Sequence, residues 1–403
     1  MLLSMKTLYF RGGTIVLADR LLSDGHVAIA GDRIVAVGPG SGSPVAGANV
    51  VDLAGAYLAP GFVDLHIHGG DGADFMDGTE AAFRSICRAH ARHGTTSLLP
   101  TTTVGRHDQL LAVLRLCRHF KQSGTGGARV LGAHFYGPYF GKEAKGAHPG
   151  AHLRDPVADE YEQYLAYADA IVTATVAPEL PGAESFLRAC RAKGIVGNVG
   201  HSHATFEQME QAIAWGASHV DHLYCAMSDR ARLRQTQTYP MRGGVLEATL
   251  YFDELTTEVI ADSKHLTREL LLLAHKLKGP DRLALVTDCN RALDMPDGPY
   301  MMGPLDGGEP VFKRDGVGIM GDGKALASSV VGMDHCVRTY RELTGAPLAE
   351  VIRMASLTPA RIARRDQDLG SIATGKLADL LVLDSGLNVR QVYVGGELLP
   401  STR

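Results

Sequence analysis

The sequence predicts an α/β protein in which a (β/α)8 TIM barrel, residues 59–365, is joined to a small β-sandwich domain built from residues 1–58 and 366–403. The middle of the chain alternates apolar, strand-like runs with helical stretches, which is typical of parallel βαβ units. Both ends carry short β-type runs between glycine-rich turns instead. With 403 residues, 45% of them hydrophobic, the chain is long enough for one large domain and one small domain.

The terminal segments show the same β-type character, separated by turns such as Ala30-Gly31-Asp32-Arg33. Because the middle of the chain alternates strands with helices instead, we expect the two ends to share one small antiparallel sheet. Its predicted strands are 7–10, 14–17, 26–30, 34–37, 49–53, 378–384 and 389–394.

The middle segment contains eight buried-strand candidates with helices between them. Thr79 precedes a helix predicted over 80–93, Thr205 and Gln208 form a possible capping box, and Thr267 precedes a helix over 269–278. A doubly wound open sheet is the rival fold, but no Gly-x-Gly-x-x-Gly turn follows an early strand. The predicted barrel strands are 62–66, 96–100, 129–136, 170–177, 194–201, 218–222, 258–262 and 283–288.

Composition argues for a small-molecule partner. The net charge is -4 and neither sign forms long runs, so nothing favours nucleic acid or a membrane surface. The chain has no apolar stretch of about 18 residues and no signal-peptide pattern, so we expect a cytoplasmic protein. Six scattered cysteines are expected to be free thiols in a reducing compartment: Cys87, Cys117, Cys190, Cys225, Cys289 and Cys336.

The first barrel strand carries His66 and His68 at its end, just before Gly69 and Gly70. Alternate residues of a strand share a face, so both imidazoles point to the same side. They form half of a metal site or, alternatively, a pair of hydrogen-bonded histidines.

Three later strands also end in metal-ligand residue types, at His201, His222 and Asp288. Each has a structural alternative, since His201 can cap the next helix, His222 can be a core histidine and Asp288 can be a helix N-cap. A barrel brings its strand ends together, and its active site lies there. Imidazole and carboxylate are ligands of catalytic Zn²⁺ or Fe²⁺, on which a bound water has a pKa of about 7.

Several further motifs, spread over nearly the whole chain, resemble the amidohydrolase superfamily and, within it, the N-acetylglucosamine-6-phosphate deacetylase family. The resemblance implies a metal-dependent hydrolase of a small amide that works as a homodimer. The motifs are APGFVDLHIHG (59–69), GAHFYGP (132–138), KGAH (145–148), VAPE (176–179), GHSHAT (200–205), HLYCAM (222–227), IAD (260–262) with His265, LVTD (285–288) and GKLADL (375–380).

One departure from the family concerns the metal. Where the family has a ligand glutamate, this chain has Tyr136. A phenol with a pKa near 10 is a poor bridging ligand, so we expect one ion per chain, Zn²⁺ or alternatively Fe²⁺. Glu143, in the following loop, is a possible replacement carboxylate. Similarity to the superfamily's single-metal deaminases implies that the ligands of this ion are His66, His68, His201 and Asp288. His222 is then expected to hydrogen-bond the attacking water or the substrate oxygen.

Other departures concern the substrate. Cys225 replaces an asparagine that helps to hold phosphate in the family, and the loop 230–242 is longer than the family's. The phosphate-binding arginine therefore has no certain counterpart: Thr238 falls at its register, and Arg230, Arg232, Arg234 and Arg242 are nearby alternatives. The resemblance implies that His148 contacts substrate across a dimer interface. The other implied substrate-binding residues are Tyr224, Cys225, Ala226 and His265.

The resemblance thus predicts deacetylation of an N-acetyl amino sugar, which can carry a 6-phosphate. Asp288 moves the proton, while His222 and Tyr136 stabilise the oxyanion. A single-metal deaminase or cyclic-amide hydrolase of the same superfamily is one alternative. An inactive amidohydrolase-like binding scaffold, suggested by Tyr136, is the other.

Overall fold

A computed structural model describes residues 7–44, 46–236 and 239–400. Strands from both ends of the chain pair in one eight-stranded sheet. The prediction that this sheet is antiparallel throughout is wrong, because Thr7–Val16 pairs in parallel with Asn49–Asp52 and Tyr57–Pro60. The predicted strands 7–10 and 14–17 are wrong as separate strands, because the register shifts near Gly13 without breaking the pairing with the next strand. The strands of this sheet are Thr7–Val16, Leu21–Ala30, Arg33–Pro39, Asn49–Asp52, Tyr57–Pro60, Leu380–Leu383, Val389–Val394 and Glu397–Leu398.

The predicted barrel is confirmed by the pairing of parallel strands. A bridge between Thr101 and His134 joins the second strand to the third, and a bridge between Ile67 and Cys289 joins the first strand to the end of the eighth. The third strand is interrupted at Gly132, whose φ of 139° disfavours a side chain. The eight strands are Phe62–Ile67, Thr95–Pro100, Arg129–Val130 with Ala133–Phe135, Ile171–Val176, Val196–Val199, Ala217–Val220, Thr256–Ile260 and Leu283–Val286.

The barrel strands that lead to His201, His222 and Asp288 each end two residues earlier than predicted, so that one residue separates the strand end from the candidate functional residue. The cause is the backbone, since φ is 47° at His201, 23° at His222 and 45° at Asp288. Non-glycine residues rarely adopt such angles, and they cannot continue a strand. These three residues therefore lie at the start of the loops that follow the barrel strands.

Helices surround the barrel and bury its outer face. Thr79 caps the first through the backbone N–H of Ala82, and Thr205 and Gln208 form the predicted capping box. The first helix ends at Arg92, one residue before the prediction. The helices are Glu80–Arg92, His107–Ser123, Ala158–Leu165, Ala183–Ala192, Phe206–Trp215, Arg230–Leu233, Val245–Tyr251, Arg268–Lys278, Met333–Thr344, Leu348–Ala355 and Leu357–Ile362.

A three-stranded antiparallel sheet follows the eighth barrel strand and was not predicted. Its strands are Gly298–Met302, Glu309–Arg314 and Val317–Met320. Met302 and the segment just after the sheet reach the cavity at the top of the barrel. Among the described residues, no helix combines the length and the apolar character needed to cross a bilayer.

Candidate active site

A cavity of about 360 Å³ opens at the carboxyl ends of the barrel strands. Parallel strands present loops from every βα unit at this end, which is where the active sites of such barrels lie. Tyr136 and Asp288 line the cavity, with Arg232 and Glu143 also reaching it. It is rich in histidine, with contributions from His68, His148, His201, His222 and His265.

One group of candidate ligands combines His66, His68 and Asp288, whose donor atoms lie within 4.8 Å of one another. Asp288 Oδ1 is 3.2 Å from His68 Nε2 and 3.7 Å from His66 Nε2. Two ligands bound at about 2.0–2.2 Å to one tetrahedral ion lie roughly 3.3 Å apart. His66 Nε2 is buried without a hydrogen-bond partner. These residues therefore fit a divalent cation.

The electrostatics of this group also favour a cation. Burial lowers the pKa of His66, but the charges of Glu258 and Asp288 outweigh burial and raise that pKa to about 9. Burial opposes ionisation of Asp288, but the nearby His66 and His68 outweigh it and hold the pKa of Asp288 below its usual range. The buried acidic groups thus attract positive charge to this point.

The remaining predicted residues of metal-ligand type, His201 and His222, form a second group. Their Nε2 atoms are 3.2 Å apart. His201 Nδ1 is 2.7 Å from the carbonyl oxygen of Ala144, to which it donates, so the lone pair of neutral His201 lies on Nε2. The ring centroids of His66 and His222 are 5.2 Å apart, so the two groups are neighbours. The five predicted residues of metal-ligand type thus divide between two adjacent groups.

Tyr136 belongs to the second group, with its hydroxyl oxygen 2.7 Å from His222 Nε2. Burial, together with the charges of Asp288 and Asp221, raises the pKa of Tyr136 well above its usual range. The phenol is therefore a neutral hydrogen-bond donor inside the cavity. Glu143 lines the cavity from an exposed position in the short 3-10 helix Lys142–Ala144.

Two predicted substrate contacts differ in their position. His148 lines the cavity of its own chain, with ring centroids 4.8 Å from His201 and 5.4 Å from Tyr136. Its predicted contact across a dimer interface stays a prediction. Tyr224 is not among the residues that line the cavity, because its hydroxyl is turned away and donates to the carbonyl of Leu270.

The predicted substrate contacts Cys225, Ala226 and His265 also line the cavity. Asp262 Oδ2 lies 2.7 Å from His265 Nδ1, which leaves His265 Nε2 for a ligand. Burial lowers the pKa of His265, but the hydrogen bond to Asp262 outweighs it and raises that pKa.

Among the four candidate arginines, Arg232 lines the cavity. Arg242 instead forms an ion pair with Glu207, with N···O at 3.0 Å. Thr238 lies outside the described residues.

Two residues near the candidate ligands were not predicted from the sequence. Glu258 lies below the cavity, 2.6 Å from His66 Nδ1, and Ser328 is 3.4 Å from Asp288 Oδ1. The turn pairs Gly307-Gly308 and Asp315-Gly316 could have revealed the extra sheet that precedes Ser328. No comparable signal marks Glu258, because a strand position does not reveal which side chain it faces across a barrel.

The chain resembles proteins of known activity over most of its length. Residues 57–399 match the amidohydrolase family. N-acetylglucosamine-6-phosphate deacetylase of Vibrio furnissii is 32% identical over 87% of this chain and 85% of its own length. N-acetylgalactosamine-6-phosphate deacetylase of Escherichia coli O157:H7 is 34% identical over 96% and 98%.

A solved structure agrees with these relatives. A mutant N-acetyl-D-glucosamine-6-phosphate deacetylase of Mycobacterium smegmatis, in complex with N-acetyl-D-glucosamine-6-phosphate, superposes with a TM-score of 0.88 at 31% identity. The match covers 99% of this chain and 100% of that one. The chain belongs to the amidohydrolase family.

Proposed function

We propose that this chain is a metal-dependent deacetylase of an N-acetylated hexosamine 6-phosphate. The observation that carries the proposal is Asp288, which lines the cavity and lies beside His66 and His68. The names of the relatives support the substrate class. A cavity of about 360 Å³ is within the usual size of small-molecule sites.

The cofactor in this proposal is one divalent ion per chain, Zn²⁺ first and Fe²⁺ second. His66, His68 and Asp288 would hold it, with His201 and His222 adjacent. When bound, such an ion polarises an amide carbonyl and lowers the pKa of a water molecule. One ion is favoured because the second group offers a neutral phenol in place of a carboxylate.

Side chains of the protein transfer the proton, stabilise the oxyanion and bind the phosphate. Asp288 accepts the proton of the attacking water and returns it to the amine nitrogen as the C–N bond breaks, so the products are acetate and the free amine. The hydroxyl of Tyr136 and the ring of His222, which both line the cavity and lie 2.7 Å apart, stabilise the developing oxyanion. Arg232 supplies the positive charge that the sugar phosphate needs.

Acetate release from N-acetylglucosamine-6-phosphate, its galacto epimer and the unphosphorylated sugars tests the proposal. We expect activity from the Zn²⁺-loaded protein, loss with a chelator, and a fall in kcat of about 10²–10⁴-fold in Asp288→Asn with the metal content measured in parallel. Ammonia release from cyclic amidines, with no acetate from any sugar, would instead identify a deaminase.

Arg232→Ala tests the phosphate contact separately. Loss of one charge-assisted contact should lower kcat/KM for the phosphorylated sugar by about 10–100-fold and leave the unphosphorylated sugar unchanged. Arg242→Ala is the matched control, because Arg242 pairs with Glu207 instead of lining the cavity. Homodimer formation and a cytoplasmic location remain predictions, which sedimentation and cell fractionation can check.

A further inference from the structure

Glu258 is a buried carboxylate that does not line the cavity. It lies in the seventh barrel strand, Thr256–Ile260, and is 1% exposed. A carboxylate at such a depth is very costly unless hydrogen bonds and opposite charges compensate it. Its partners therefore show what the group does.

The first partner is His66. Glu258 Oε1 lies 2.6 Å from His66 Nδ1. An ionised carboxylate can only accept, so Nδ1 carries the proton and the lone pair of neutral His66 is on Nε2. That Nε2 is the buried, unpartnered atom that faces Asp288.

The second partner is the backbone of the other ligand group. The same Oε1 accepts from the backbone N–H of His222 at 3.2 Å. His222 has a φ of 23°, a backbone conformation that persists only where its surroundings hold it. One oxygen atom therefore restrains both candidate ligand groups.

The third partner, His219, contacts the other oxygen of the carboxylate. Glu258 Oε2 is 3.2 Å from His219 Nε2. Because an ionised carboxylate only accepts, His219 Nε2 donates to it. His219 Nδ1 is 2.8 Å from the hydroxyl oxygen of Thr256, so both ring nitrogens have partners that hold the ring in one orientation.

The contact between Glu258 and His66 is too short for both atoms to be ligands of one ion. At 2.6 Å it is well below the roughly 3.3 Å that separates two ligands of a tetrahedral Zn²⁺. Histidine ligands commonly donate their other ring N–H to a carboxylate, which orients the ring and raises its basicity. Glu258 matches that arrangement.

We propose that Glu258 is a positioning residue for the metal centre, which sets the tautomer and orientation of His66 and holds the backbone of His222 in place. A single carboxylate oxygen below the barrel ends thus contacts both candidate ligand groups. The inference rests on the proposed metal dependence but not on the proposed sugar substrate.

Metal affinity, measured by competition with a chromophoric chelator, tests this role without any substrate. Glu258→Gln keeps the shape but removes the charge, and Zn²⁺ affinity should fall roughly 10-fold. Glu258→Leu also removes the acceptor, and affinity should fall roughly 100-fold. The visible spectrum of the Co²⁺-loaded protein should change in both variants, because the His66 ring is no longer held.

Asp379→Asn is the control, because it makes the same chemical change in a buried ion pair with Arg129, away from the cavity. It should bind Zn²⁺ like the wild type even if it is less stable. A folded Glu258→Gln protein with wild-type Zn²⁺ affinity and an unchanged Co²⁺ spectrum would overturn the proposal. If Glu258→Leu does not fold, the result for Glu258→Gln alone decides between the two outcomes. Weakened metal binding without any sugar deacetylation would leave the role of Glu258 standing and reject the substrate.

Discussion

At the scale of single residues, the site depends on backbone conformations that side chains usually avoid. His201, His222 and Asp288 all have positive φ angles, each costing of the order of 1–3 kcal/mol. Hydrogen bonds hold at least two of them, from His201 Nδ1 to Ala144 and from the backbone of His222 to Glu258. Each of these residues follows the end of its strand, and its own side chain lines the cavity.

Tyr136→Phe tests the predicted role of the Tyr136 hydroxyl in the cavity. Loss of one donor to the oxyanion should lower kcat by about 10²-fold. The Zn²⁺ content should stay the same, because Tyr136 lies with the second group of residues. Tyr139→Phe is the control, since its buried hydroxyl donates to Glu160 outside the cavity. An unchanged kcat in Tyr136→Phe would show that the phenol takes no part in catalysis.

At the scale of elements, His93 joins three parts of the barrel periphery. It follows the helix Glu80–Arg92, and its ring lies 2.9 Å from Asp334 in the helix Met333–Thr344 and 3.1 Å from Asp294 in the loop after the eighth strand. Arg92 and Arg338 share these carboxylates. Burial lowers the pKa of His93, but the hydrogen bonds to Asp294 and Asp334 outweigh it and raise that pKa to about 9.

The stability of the protein should therefore depend on pH through His93. A raised folded-state pKa means that the stabilisation is fully present below the unfolded value of about 6.5 and is lost as the pH rises through about 9. We expect the free energy of unfolding to fall by roughly 2–3 kcal/mol over that range. Urea unfolding of the wild type and His93→Asn should show a flatter profile for the variant, and parallel profiles would contradict this prediction.

At the scale of the whole molecule, Asp379 connects the terminal sheet to the barrel. Its side chain accepts from Arg129, at the start of the third barrel strand, at 2.6 Å and from the backbone of Gly395 at 2.7 Å. Its backbone oxygen accepts from Gly61, just before the first barrel strand, at 2.9 Å. The Asp379 side chain is 5% exposed, so water does little to screen this ion pair.

Asp379→Ala should destabilise the protein by about 3 kcal/mol, because it leaves the Arg129 charge partly buried without its partner. Denaturant midpoints measure the change. Asp253→Ala removes an ion pair to Arg282 whose carboxylate is 77% exposed, and should cost less than about 1 kcal/mol. Equal losses of stability in the two variants would show that the contacts of Asp379 between the terminal sheet and the barrel contribute no more to stability than an exposed ion pair.

The sequence alone determined the barrel, the shared terminal sheet and the candidate ligands, because strand periodicity and strand ends are local properties of the chain. It also predicts that Tyr136 stands where the family has a ligand glutamate. Only the tertiary structure decided that His201 pairs with His222 while His68 pairs with Asp288. It also placed Arg232 in the cavity, turned Tyr224 away from it and brought Glu258 against His66. These contacts join residues far apart in the chain, and their distances follow from how a closed barrel packs its interior, which no local pattern encodes.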